Sequence, residues 1–123
     1  MERLSEITSK YNNIIESLKI LHFNAASTPN HEHYGYGYDS VIESHDAVME
    51  QLMGYSNMRI DVAGIDKTVE LYLTQEKIIS EIYRLAENLI KLAEAKGFYN
   101  IENLGQELSG VGAKLNYLLN LDK

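Results

Sequence analysis

Apolar residues recur along this chain at alternating steps of three and four, the spacing that puts them on one face of an α-helix. Leu4, Ile7, Tyr11, Ile14, Leu18 and Leu21 make the first such stripe, predicting a helix from about Glu2 to about Asn24. Tyr34, Tyr38, Val41, Val48 and Leu52 make the second, from about Asn30 to about Met53, with His45 in the slot between the two valines. Ile78, Ile82, Leu85, Leu89 and Leu92 make the third, beginning near Asp66 as N-cap and ending near Lys96-Gly97, a cation and a glycine where helices commonly stop. Ile101, Leu104, Leu108, Val111, Leu115 and Leu118 make the fourth, opening at Asn100 and closing near Leu121. Between the first two helices, Thr28 before Pro29 reads as a cap with proline in the first turn, and Asn30 is the other candidate cap.

Four amphipathic helices in one chain of 123 residues predict a single all-α domain over 1–123, a four-helix bundle. Connector length bears on its topology. Gly54 to Gly64 has no clear period, and about 11 extended residues reach roughly 36 Å, enough to run the roughly 30 Å of a 20-residue helix. One long crossover between helices two and three, with short turns elsewhere, is the ferritin-like arrangement.

The composition agrees. A single proline and eight glycines leave few breakers, and a hydrophobic share of 45% is enough for a core. The formal net charge of −7, with no Lys/Arg cluster, argues against binding nucleic acid through its phosphates. No run approaches the roughly 20 apolar residues of a membrane span, so the expectation is a soluble cytoplasmic protein. With no cysteine, disulfides and thiolate chemistry are excluded.

Candidate chemistry gathers in one stretch. All four histidines, His22, His31, His33 and His45, fall within 24 residues, and Asp39, Glu43, Asp46 and Glu50 recur at steps of four, three and four on the second helix. Imidazole with carboxylate suits iron, zinc or manganese. An acidic stripe is more often a solvated helix face, and a histidine in an apolar seam is more often a hydrogen-bonded core residue. Neither a nucleophile elbow, nor a Walker-type phosphate loop, nor an H-E-x-x-H zinc helix is present. The Glu-x-x-His pair of in-bundle di-iron sites is also missing, and helices three and four contain no histidine. Any metal site must come from the first two helices, plausibly across subunits.

Leu21-His22-Phe23-Asn24 resembles the L-H-W-N signature that ends the first helix of the Dps, or mini-ferritin, family. His31 follows nine residues later, Asp46 fifteen after that and Glu50 four further on, with Tyr38 eight before Asp46, a spacing similar to the family's histidine, tyrosine and D-x-x-x-E pattern. The segment from Gly97 to Leu121, with Lys114 before Leu-Asn-Tyr-Leu-Leu, also resembles the last helix of the family. Phe23 stands where the family has tryptophan, and Gly35 where many members carry an acidic residue.

The resemblance implies an inter-subunit ferroxidase site, with His22 and His31 from one subunit and Asp46 and Glu50 from a two-fold-related one. It also implies a hollow homo-oligomer, a dodecamer in the family, that oxidises Fe(II) with peroxide and stores ferric mineral; zinc or manganese could occupy the same ligands. The alternative is a non-catalytic ferritin-like structural or assembly protein with a degenerate metal site. A dimeric zinc or manganese hydrolase is a weaker third option. Tyr34, Tyr36 and Tyr38 lie close in sequence to these ligands, as electron donors or, more ordinarily, as interface residues.

Overall fold

The computed structural model describes residues 4–121, which form four long helices and no strand. They are α1 (Leu4–Phe23), α2 (Thr28–Ser56), α3 (Gln75–Lys96) and α4 (Tyr99–Leu121). The expected start of the first helix at Glu2 lies outside the described residues. Together they make an all-α four-helix bundle, and no described helix is long and apolar enough to cross a membrane.

Each α2 and α3 end has a local cause. Ser27, not Thr28 or Asn30, caps α2: its hydroxyl accepts the Asn30 N–H at 3.2 Å, which lets Pro29 sit in the first turn where its missing N–H costs nothing. The helix continues past Met53 and through Gly54 to Ser56, and stops where Asn57 turns left-handed at φ 55° and bonds back to the Met53 carbonyl. Gly97, left-handed at φ 71°, ends α3 in the expected way.

The start of the third helix corrects the sequence reading. Asp66 is not its N-cap; the helix begins at Gln75, with the Thr74 hydroxyl accepting the Lys77 N–H at 3.2 Å. From Thr68 to Leu73 apolar and polar residues alternate with a period of two, suited to extended chain and not to helix. The backbone there is also engaged elsewhere. The N–H groups of Asp66, Glu70 and Tyr72 donate to Ser9 Oγ (2.9 Å), Asn13 Oδ1 (3.0 Å) and Ser17 Oγ (2.8 Å) of α1. The connector, residues 57–74 with a short 3₁₀ turn at Val62–Gly64, therefore follows α1 from its N-terminal toward its C-terminal end.

Ser5, Ser9, Asn13 and Ser17 recur every four residues, a polar rail along α1. Ser9 and Ser17 are buried, and each hydroxyl donates to the carbonyl four residues back while accepting a connector N–H. Gly64 sits so close to the rail that an added Cβ would lie 2.6 Å from Ser5 Oγ.

The core follows the predicted stripes, with one rotation. All five seam residues of α3 are buried, as are Leu4, Ile7, Tyr11, Ile14 and Leu18 of α1. In α4 the buried set is Ile101, Gly105, Leu108, Gly112, Leu115 and Leu119, while Leu104, Val111 and Leu118 are half-buried beside it. Two glycines replace bulk here because α3 comes close: a Cβ on Gly105 would lie 2.8 Å from Ile90 Cγ1 and 3.1 Å from the Ala86 carbonyl.

Candidate metal centre

His22 stands in the last turn of α1 and His31 in the first turn of α2. The tight turn between them, held by Asn24 N–H to Ile20 O (2.9 Å) and His31 N–H to Ser27 O (3.0 Å), brings the two rings face to face. Their centroids are 3.8 Å apart with planes inclined by 21°. Each ring bonds the other residue's backbone: His22 Nδ1 to His31 O at 2.6 Å, and His31 Nδ1 to His22 O at 2.8 Å.

A carbonyl oxygen only accepts, so both Nδ1 atoms must carry the hydrogen. In the neutral imidazoles that leaves a lone pair on each Nε2, the tautomer a metal-ligating histidine needs, fixed by the kind of backbone bond that orients such ligands. His31 is exposed and His22 half-buried. Exposed Phe23 leans on His22 at 5.7 Å between ring centroids.

Gly35 forms the floor under His22. A Cβ there would lie 3.0 Å from His22 Cε1 and 3.1 Å from Nδ1, so the ring can come this close to α2 because position 35 has no side chain. From the sequence, Gly35 and Gly37 near the start of the second helix, each costing about 1 kcal/mol relative to alanine, point to a loose end or to a close approach; at Gly35 it is a close approach, by the His22 ring.

Asp46 and Glu50 lie one turn apart on α2, both exposed. They border an open groove of about 500 Å³ between α2 and α4, with Glu43 and Glu107 among its walls and Ala47, Leu104, Leu108 and Val111 as its apolar part. Fifteen residues of helix separate His31 from Asp46, roughly 22 Å along the axis. The chain therefore pairs His22 with His31 and sets Asp46 beside Glu50, but it does not bring the two pairs together. Among the described residues no group of three or more histidine, aspartate or glutamate side chains could hold a metal ion within one chain.

The other residues singled out from the sequence have different settings. His45 stacks on Tyr11 with centroids 4.6 Å apart and planes 13° apart, and its Nε2 is 3.3 Å from Thr8 Oγ1. Burial lowers its pKa, with the Asp46 charge pulling the other way. It packs α1 against α2. His33 is half-buried, and Asp39 and Glu43 are exposed on α2. Tyr34 is buried, which pushes its phenol pKa up. Lys114 of α4 lies over the Tyr36 ring, 4.7 Å from its centroid.

No family model matches the chain, and no curated protein or solved structure shows significant similarity to it.

Proposed function

We propose that the chain is a divergent, ferritin-like mini-ferritin of the Dps type, which oxidises Fe(II) and sequesters ferric iron in a hollow homo-oligomer. The reading rests chiefly on the His22–His31 pair, two adjacent imidazoles each held by the other's backbone with Nε2 left to ligate. Reciprocal Nδ1–H bonds are hard to account for as packing alone, since an exposed ring and a half-buried one lose rotamer freedom for little buried area.

Two further features support it. The bonds of the connector along α1 support a ferritin-like crossover between the α1–α2 and α3–α4 hairpins. Asp46 and Glu50 present carboxylates one turn apart on an outer face of α2, where a second copy can meet them.

In this reading iron is the substrate. His22 and His31 of one copy and Asp46 and Glu50 of another hold two Fe(II) ions, hard carboxylates and neutral imidazoles being suited to that metal. Each Fe(II) gives one electron to a peroxide, which takes up two protons and leaves as two waters. Zinc or manganese would compete for the same donors.

The test is titration of metal-free protein with Fe(II) under peroxide, following ferric absorbance together with particle mass. Oxidation faster than the protein-free rate, held soluble in a large particle and lost in His31→Ala and Asp46→Asn, is the expected result. Oxidation at the protein-free rate by a well-folded protein would leave the bundle as a structural or assembly component.

A further inference from the structure

Among the described residues the core holds one methionine, Met49, and a histidine lines the same pocket. Elsewhere that core is built from leucine, isoleucine, valine, alanine and tyrosine. Of the four methionines in the chain, Met49, Met53 and Met58 fall within ten residues. Met53 is half-buried, whereas Met58 is exposed beyond the end of α2. His45, Met49 and Met53 follow one another at steps of four on α2, so they form one stripe with about 6 Å of rise between neighbours.

These three side chains line one open pocket of about 240 Å³, together with Thr8 of α1, Ile60 of the connector, Asp46 and Glu50. Tyr11 of α1 stacks on the His45 ring and bonds Ser44 at 2.7 Å, while His45 Nε2 reaches Thr8 Oγ1, three residues earlier on α1. The two helices run antiparallel, His22 meeting His31 at their other ends. The Nε2 edge of the ring is therefore on the C-terminal side along α2, the side of Met49. Long side chains on a helix lean toward its N-terminus, which carries Met49 toward His45 and Met53 toward Met49. At 3.3 Å the Nε2–Oγ1 contact is longer than an ordinary hydrogen bond, so an ion at Nε2 would give up little by replacing it.

The donor set is soft. Thioether together with imidazole suits Cu(I), whereas carboxylates suit harder ions. Among the described residues no three histidine, aspartate or glutamate side chains could hold an ion, so His45 with Asp46 and Glu50 does not make a hard site. The two sulfurs supply what is missing, and with no cysteine in the chain thioether is the sulfur donor it has. The pocket wall is largely apolar, where a monovalent ion sheds its water at lower cost than a divalent one. Asp46 and Glu50, exposed beside it, favour a cation.

We infer that His45, Met49 and Met53 form a Cu(I) site, with the imidazole Nε2 and two thioether sulfurs as donors and Thr8 beside them. The site shares no donor with the His22–His31 pair and does not rest on the iron reading. Methionine also fills irregular gaps in a core without binding anything. Leucine in its place keeps the volume and removes the sulfur, so this exchange separates ligation from packing.

The experiment titrates Ag(I), a redox-inert ion of the same charge and softness, into protein labelled at the methionine methyls, near neutral pH in chloride-free buffer. NMR follows the methyl and imidazole signals, with free methionine as competing ligand to set the affinity. The Met49 and Met53 methyls and the His45 ring protons should shift together by one equivalent, with the Met58 methyl unmoved. Cu(I) under anaerobic conditions should reproduce these shifts, and Zn(II) should leave the methyls in place. Met49→Leu and Met53→Leu, shown by circular dichroism to fold, should each bind at least about tenfold more weakly, since disturbing a ligand's orienting partner alone costs about 10- to 100-fold. In each variant the remaining methionine methyl still reports the site. Met58→Leu should bind as wild type does.

Ag(I) that moves only the His22 and His31 ring protons overturns the proposal. So do leucine variants that bind like wild type, or Zn(II) that shifts the same methyls as strongly. The two methionines are then core filling. No iron enters the measurement, so failure here is separable from failure of the iron reading.

Discussion

Replacing Gly35 with alanine separates the folding of α2 from the geometry of the candidate metal centre. In an unobstructed helix interior this change stabilises by about 1 kcal/mol. Here the new Cβ lies 3.0 Å from His22 Cε1 and 3.1 Å from Nδ1, several tenths of an ångström inside ordinary contact. The ring cannot retreat freely, because the His31 ring is stacked on it at 3.8 Å and its Nδ1 is held by the His31 carbonyl at 2.6 Å. Displacing it forfeits roughly 1 kcal/mol of hydrogen bond and about 0.5–1 kcal/mol of ring stacking. Gain and loss nearly cancel, so the urea midpoint of Gly35→Ala should stay close to wild type. Metal affinity should fall by about 10- to 100-fold, the usual result of disturbing a ligand's orienting bond. Zn(II) titration, followed through the histidine ring protons by NMR, reads the second quantity. A variant about 1 kcal/mol more stable with unchanged affinity would refute the reasoning, since His22 could not then be lying on Gly35.

Two further predictions address the fold. Ser17→Ala removes the acceptor of the part-buried Tyr72 N–H bond and should cost about 1 kcal/mol in urea unfolding, the net worth of such a bond; a loss below about 0.3 kcal/mol would mean that the connector is not held by the rail. Tyr11 is fully buried, and burial raises its phenol pKa well above the ordinary value, against a smaller opposite effect of its 2.7 Å bond to Ser44. The folded state thus favours the neutral phenol, so this contribution to stability is complete below about pH 10 and is lost as pH rises beyond it. Tyr11→Phe should flatten the alkaline fall in stability while costing about 1 kcal/mol at neutral pH, measured by denaturation at pH 7.5 and 10.5; an identical alkaline slope in both proteins would contradict it.

The helices and most of the core were legible because burial on one face leaves a stripe of large apolar residues, and such stripes survive in the sequence whatever the neighbours are. The stripe failed where burial is not hydrophobic. Ser9 and Ser17 are buried as polar groups because the connector supplies their partners, and a pattern read from apolar residues passes over them. In α4 Gly105 and Gly112 occupy the buried line because α3 approaches closely, so the apolar pattern put the seam at Leu104 and Val111, one residue off. The third helix was extended back to Asp66 for a related reason: the residues before Thr74 are fixed by bonds to α1, and those bonds belong to tertiary structure.

The candidate site shows the same division more sharply. The resemblance to the Dps family nominated His22 and His31, but not that each imidazole would be held by the other's carbonyl, since that follows from the turn at residues 24–27 and from the bare floor at Gly35. The expectation that His22 and His31 meet Asp46 and Glu50 across subunits was already open to the sequence, and within one chain the length of α2 keeps them apart: His31 and Asp46 cannot close roughly 22 Å of helix without breaking it. If the two pairs act together, the chain must supply a surface that aligns them.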